Sequence, residues 1–396
     1  MQFKKSDPDI ETIISRIVRG DVVIDSDYSK NNRWSEIKKQ QLIDTIIRDW
    51  YVPPVYLVVE KNTGRLEVVD GRERLGAIKE FVDGWLRVDG FTSPWDRIVH
   101  GLHGCSFNDL PEEVKNSFLR FSIGFVVIDD YSHGESGELF KRLSHRSGLT
   151  GAEQRNSYYG PMRSQVKAFV SNLERRGVGK DFLGFSNSRM AYDDVMSRVA
   201  ILIERGGLDF KITSDDLSSW YSAEDSLADS TVMAMENVLL KLYEVSCVGS
   251  VPRFNKSTLV TWLLFLARLI TNGLGWVGSN VIHDFMHYFD ARLRDAMEPD
   301  QYSEDFQQAQ VLLEMYRHRS SIKVDEVSSV ILRDAAVWVL FFQYVNFVNY
   351  YDDLNVDMPS LKALQSLVRE NVSIFSSEEE VSKIILTSGW GAFICR

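Results

Sequence analysis

Val68-Val69-Asp70-Gly71-Arg72-Glu73-Arg74-Leu75 joins a strand to a helix and delivers a carboxylate, a glycine and two arginines to the junction. The lead-in Arg65-Leu66-Glu67-Val68-Val69 alternates polar and apolar residues and ends in β-branched ones, the pattern of a strand. Leu75, Ile78, Phe81 and Val82 then recur at helical spacing. A glycine at such a turn lets a ligand approach the backbone, and free N–H groups at a helix start attract anions. Arg72 and Arg74 add planar forks that match phosphate oxygens. The plainer reading keeps the junction structural, with Asp70 as N-cap and Glu73 closing a capping box.

Working outward, Ile10, Ile13, Ile14, Ile17 and Val18 line one face of a first helix closed by Gly20, and a short strand follows over residues 22–24. Ile37, Leu42, Ile43, Ile46 and Ile47 mark a second helix that stops before Pro53-Pro54. Residues 55–59 form a strand, and Asn62-Thr63-Gly64 turns the chain back into the strand that carries Asp70, giving an α/β unit with a central hairpin. Asn108-Asp109-Leu110-Pro111-Glu112-Glu113 opens another helix, and residues 123–128 form a further strand. Beyond residue 135 the pattern is helical. Long apolar-periodic segments lie near residues 232–242, 259–270, 281–293, 306–316 and 329–350, with a Ser/Asp/Glu-rich connector at 214–229. The expected architecture is α+β: an α/β domain over residues 1–200 and an all-helical domain over 201–396.

The 396 residues suffice for two cores. A net charge of -11 argues against a protein that coats nucleic acid through overall charge, so phosphate contacts must be local. Cys105, Cys247 and Cys395 are odd in number and lack CxxC spacing, which suggests neither a disulfide framework nor a zinc ribbon. With no apolar leader at the N-terminus, a cytoplasmic location is expected. The apolar stretches 259–269 and 337–348 read as too short or too polar to span a bilayer, so no membrane partner is expected. Neither a GxxxxGK[ST] P-loop nor a GxGxxG turn occurs.

Three blocks in order resemble the N-terminal domain family of GmrSD-type modification-dependent restriction enzymes, a group with a ParB-like core. The first is Tyr28-Ser29-Lys30-Asn31-Asn32-Arg33-Trp34, in which Tyr28 and Trp34 match the family's aromatic and tryptophan, Lys30 is a like-charge substitute, and Ser29 and Asn32 depart from the pattern. The second is the Asp-Gly-Gln-Gln-Arg signature, matched at Asp70, Gly71 and Arg74, with Arg72 and Glu73 in place of the glutamines. In the third, Phe140-Lys141-Arg142-Leu143-Ser144 precedes Gly148-Leu149-Thr150 and Glu153-Gln154-Arg155-Asn156, with Ser144 replacing an asparagine. The resemblance covers roughly residues 10–160. It implies a ParB-like N-terminal domain that handles a nucleoside triphosphate with Mg2+ and governs a nuclease or senses modified DNA. The family's C-terminal His-Asn-His-type signature is not found in this sequence. A regulator, a sensor or one subunit of a split system is therefore expected rather than a self-contained nuclease.

Asp70, Glu73 and Arg74 are the catalytic candidates, because phosphoryl transfer chiefly needs charge neutralisation and in-line positioning. Lys30, Arg33, Trp34, Gly71, Arg72, Arg142, Glu153, Arg155 and Asn156 are the candidates for holding the nucleotide and its phosphates. Residues 141–180 carry nine Lys or Arg against two Asp or Glu, a local excess that can neutralise phosphates. Arg146, Tyr158, Tyr159, Arg163 and Lys167 are the nucleic-acid candidates from that stretch, with the tyrosines available for stacking. His283 and His287, four apart on a helix, admit a metal site or interhelical hydrogen bonding; lacking a third ligand in the sequence, no metal is assigned. The expected function is a nucleotide-binding, NTP-hydrolysing component of a DNA restriction or antiviral system. Its expected partners are DNA, a nuclease subunit or a second copy. The alternative is a non-enzymatic DNA-binding or protein-interaction module on the same scaffold.

Overall fold

A computed structural model describes residues 1–24, 34–60, 63–132, 135, 138–139, 150–158, 160–294, 304–347, 359–373 and 376–391. The architecture is α+β, with a five-stranded mixed sheet in the N-terminal part and helices beyond it. Two compact units divide the chain: Met1–Gly160 with Tyr221–Glu224, and Pro161–Trp220 with Asp225–Arg396. The helices Pro161–Arg175 and Ala191–Arg205 belong to the second unit.

In the first unit the strands are β1 (Gln2–Ser6), β2 (Val22–Val23), β3 (Val55–Val59), β4 (Leu66–Asp70) and β5 (Phe125–Asp129), in the sheet order β1-β5-β3-β4-β2. The central β3–β4 hairpin is antiparallel, as its turn residues require; Gly64 takes φ 71°, and Glu60 and Arg65 are hydrogen-bonded across the turn. β5 and β2 run parallel to β3 and β4, and β1 closes the far side antiparallel to β5. β1 was not legible as a strand, since all five of its residues are exposed and no alternation marks a buried face.

Successive residues of β4 point to opposite faces. Val68 joins the main core, where Val55, Leu57 and Phe125 meet α1 (Ile10–Arg19), α2 (Glu36–Ile47), α3 (Arg72–Val82) and α5 (Glu112–Arg120). Val69 turns the other way and packs with Val58, Ile128 and Tyr131. Both ends of α1 follow from its sequence: Asp9 accepts the Thr12 N–H at 2.9 Å as N-cap, and Gly20 closes the helix at φ 78°. Helix α4 (Arg97–Gly101) lies in the long connection between α3 and α5, and α6 (Gly151–Arg155) follows β5.

The second unit is helical throughout its described residues, from α7 (Pro161–Arg175) to α17 (Glu378–Thr387). Part of the connector expected at 214–229 is itself a helix, α10 (Ser214–Ser222). The core is aromatic: Trp262 and Phe265 of α12 (Lys256–Leu269) meet Phe285 and Phe289 of α13 (Ser279–Leu293) and Trp338 and Phe341 of α15 (Val327–Phe347). Two helical spans, Lys256–Leu274 and Val327–Asn346, are long and apolar enough to cross a membrane by length and composition. This corrects the expectation that both are too short or too polar, which counted only the uninterrupted apolar runs. They are 67% and 78% buried inside the protein, as core helices are.

Within that core Arg268 of α12 pairs with Asp334 of α15, both side chains essentially buried. Trp390 donates its indole N–H to the same carboxylate at 2.8 Å, and the Arg268 guanidinium lies 4.1 Å from the Trp390 ring. Burial pushes the Asp334 carboxyl up, against the pull of Arg268 and the Trp390 hydrogen bond.

Candidate functional site

The junction after β4 departs from a capped helix start. Asp70 is the last residue of the strand, and the N-cap position of α3 falls to Gly71, which makes no side-chain cap. Gly71 adopts φ 97°, a conformation open to glycine and costly for residues with a Cβ. A Cβ there would also stand 2.9 Å from Val55 Cγ2 and 3.0 Å from Arg74 Nη2. The glycine therefore serves both the turn and the seat of Arg74.

Arg74 reaches back over that glycine. Its Nη2 donates to Asp70 Oδ2 and to the Pro54 carbonyl, each at 3.0 Å, which ties the end of β4 to the start of β3. The Arg74 side chain is 15% exposed and Asp70 44% exposed, so the acid faces solvent while the base is largely enclosed. Arg74 Nε is buried without a hydrogen-bond partner, and Asp70 Oδ1 has none among the described residues. The solvent-facing carboxylate beside a partly exposed arginine fits a cation and a phosphate bound to it.

Glu73 does not close a capping box. Its carboxylate accepts the backbone N–H of Trp34 at 2.9 Å, fixing the entry to α2 against α3. The Trp34 ring packs against the main core, with the Lys38 ammonium 4.7 Å from its centroid. Arg72 turns its Nε–H back onto the Val68 carbonyl at 2.6 Å. The structure thus brings together Asp70, Gly71, Glu73, Arg74 and the backbone of Trp34.

Of the third block, Thr150, Glu153, Arg155 and Asn156 lie on α6 or at its ends, and residues 140–149 lie outside the described ones. Thr150 and Glu153 form a reciprocal capping box there, and Glu153, Arg155 and Asn156 are all buried. The Arg155 guanidinium lies 5.9 Å from the Tyr221 ring. Tyr158 is half-buried, and its hydroxyl pKa is raised by burial and by Glu138, with Arg155 opposing. Arg163 and Lys167 lie in the second unit on α7, where Arg163 is buried. Lys30, Arg33, Arg142, Arg146 and Tyr159 lie outside the described residues.

The His283 and His287 rings lie 4.6 Å apart between centroids, tilted at 56°, and each places Nε2 within hydrogen-bond distance of the Ser250 carbonyl, at 3.0 and 2.7 Å. Among the described residues no group of three or more His, Cys, Asp or Glu is placed to hold a metal ion.

Sequence reasoning passed over an opening at the same end of the sheet. A cavity of about 540 Å³ lies among Lys5, Asp7, Asp49, Trp50, Tyr51 and Pro54, with β5 on one side. Its one sequence signal is the pair Trp50-Tyr51, two large aromatics just before Pro53-Pro54 and outside the apolar rhythm of α2.

Residues 10–160 match the family model described as GmrSD restriction endonuclease, N-terminal domain. No curated protein and no solved structure matches the chain. The matched segment holds β2 to β5, the Asp70–Arg74 junction and the capped helix α6. Residues 10–160 of this chain are a GmrSD-type restriction endonuclease N-terminal domain.

Proposed function

We propose that the protein is a component of a DNA restriction or antiviral defence system whose first unit binds a nucleoside triphosphate at the Asp70–Arg74 junction and hydrolyses it. One observation carries the reading. A largely enclosed arginine holds a solvent-facing carboxylate by one oxygen, and the other carboxylate oxygen has no partner among the described residues. A magnesium ion held by Asp70 would account for the open oxygen, and a phosphate on that ion would meet the exposed part of the Arg74 side chain. Mg2+ supplies charge neutralisation on the phosphate oxygens when bound.

The chain's own groups carry the remaining roles. Arg74 offers fixed positive charge where negative charge develops on the transferred phosphoryl group, and its bonds to Pro54 and Asp70 hold it in place beforehand. Gly71, having no Cβ, leaves the room over the turn that the Arg74 guanidinium occupies. Glu73 keeps the α2 entry against α3 through Trp34 and so acts as a positioning residue. Control of a nuclease partner, DNA contact and the ParB-like character of the scaffold belong to the same proposal.

A second reading has its own support: Arg74 Nη2 is spent on protein acceptors, as it would be in a DNA-binding or interaction module that has no turnover. Phosphate release across a nucleotide panel, with and without DNA, separates the two. Release lost in Asp70→Ala and Arg74→Ala supports the enzyme. DNA binding without release in the unaltered protein supports the module, and absence of any nucleotide binding by calorimetry rejects the nucleotide reading.

A further inference from the structure

The end of the sheet that carries Asp70 also carries the cavity at Trp50 and Tyr51. The strand registers fix this: Tyr56 pairs with Asp70, Val55 with Phe125, and Phe125 with Ser6. The last residues of β4 and β1 and the first residues of β3 and β5 therefore share one rim. Pro54 links the two features directly, since its ring borders the cavity while its carbonyl takes the Arg74 Nη2 proton at 3.0 Å.

We propose that this cavity is the nucleobase pocket of the nucleotide whose phosphates meet Arg74, an assignment that rests on the nucleotide reading above. A volume of about 540 Å³ is within the range of small-molecule sites. Trp50 and Tyr51 are 47% and 80% exposed, large aromatic faces presented to solvent beside a cavity. Aromatic faces in this setting stack on bases. Trp50 is held in place. The Arg48 guanidinium lies 5.2 Å from its ring, and Arg48 is itself fixed by a 2.8 Å bond to the buried carboxylate of Asp44.

The polar lining suits the edge of a base and its sugar. The side chains of Lys5, Asp7 and Asp49 line the cavity, and none has a hydrogen-bond or ion-pair partner among the described residues. Two carboxylates accept from amino groups, ring N–H groups or ribose hydroxyls, and Lys5 supplies a compensating charge. Asp49, which lines the cavity, stands at φ 56°, in the left-handed region that Asp and Asn tolerate better than other side chains. Gly124 also lines the cavity, where an added Cβ would come 3.4 Å from both Asp7 Oδ1 and Pro54 Cβ. A larger side chain at that position would occupy the space a base needs.

The test uses the full chain, calorimetry, four nucleoside triphosphates and inorganic tripolyphosphate as probes. In the Trp50→Ala/Tyr51→Ala double variant the affinity for nucleoside triphosphates is expected to fall about tenfold or more, the loss of one base stack, with tripolyphosphate binding unchanged. Gly124→Leu is expected to do the same, and Arg74→Ala to weaken both kinds of probe. If the double variant binds nucleoside triphosphates as tightly as the unaltered protein while Arg74→Ala loses them, the pocket assignment falls and the nucleotide reading stands. If the unaltered protein binds neither probe, the nucleotide reading falls and the pocket assignment with it. The double variant alters exposed side chains, so it carries the test should Gly124→Leu fail to fold.

Discussion

At position 71 two constraints coincide: a positive φ and a space that Val55 and Arg74 already fill. Gly71→Ala is expected to cost about 1–3 kcal/mol, the usual size of such local strain, and to displace the Arg74 guanidinium. Denaturant titration with a parallel nucleotide-binding assay checks both effects. Arg74→Ala is expected to destabilise the first unit by about 1–3 kcal/mol, because the Pro54 carbonyl loses its donor. Asp70→Asn should stay within about 1 kcal/mol of the unaltered protein, since its carboxylate is substantially exposed, yet abolish phosphate release. Calorimetric melts beside turnover measurements separate the two variants. The sequence disclosed Asp70, Gly71 and Arg74 as one group because a five-residue turn keeps them adjacent. It did not disclose that Arg74 answers Pro54, twenty residues back, or that Glu73 answers Trp34, thirty-nine back. Those partners arise from strand pairing and helix packing, which leave no local mark.

Among the secondary-structure elements, helix starts set the acid response. Asp9 and Asp96 are N-caps, and Asp109 closes a capping box with Ser106. Hydrogen bonds hold all three carboxyls below their ordinary value: from Thr12 to Asp9, from the Val99 and Ile98 N–H groups to Asp96, and from Ser106 to Asp109. Because each folded pKa lies below the unfolded one, the caps stabilise the fold above the ordinary carboxylate range. That contribution disappears as pH falls through the lowered values. Melting temperature followed by circular dichroism should drop as pH goes from 5 to 3, less steeply in Asp9→Asn. The helices of the second unit show a different pattern. Arg268 interrupts the apolar run 259–269, but its partner Asp334 lies sixty-six residues on, with no spacing signal to join them. Asp334→Ala should cost about 3–5 kcal/mol by stranding a buried guanidinium. Arg268→Met with Asp334→Leu should recover most of that loss in the same denaturant titration.

The whole molecule carries a net charge of -11, so nucleotide or DNA binding through a local cationic site should weaken steeply with added salt. The first unit's main segment ends at Gly160, next to Pro161, between α6 and α7. Residues 221–224 return to the first unit, with Tyr221 4% exposed beside Arg155. A fragment ending at residue 160 lacks that tyrosine and should melt below the first unit of the full chain. Tyr221→Ala in the full chain should cost roughly 3 kcal/mol, read from the same melts. Finally, the rims of the sheet bear on colloidal behaviour. On one side the sheet ends in a two-residue strand, and on the other in β1, whose Lys4 ammonium binds Asp129 at 2.7 Å. Short length at one border and cationic side chains at the other discourage neighbouring molecules from adding strands. Exchanging Lys4 for valine would strip one of the two exposed lysines from that border together with its pair to Asp129, and would set an apolar residue beside Phe3 where intermolecular stacking could begin.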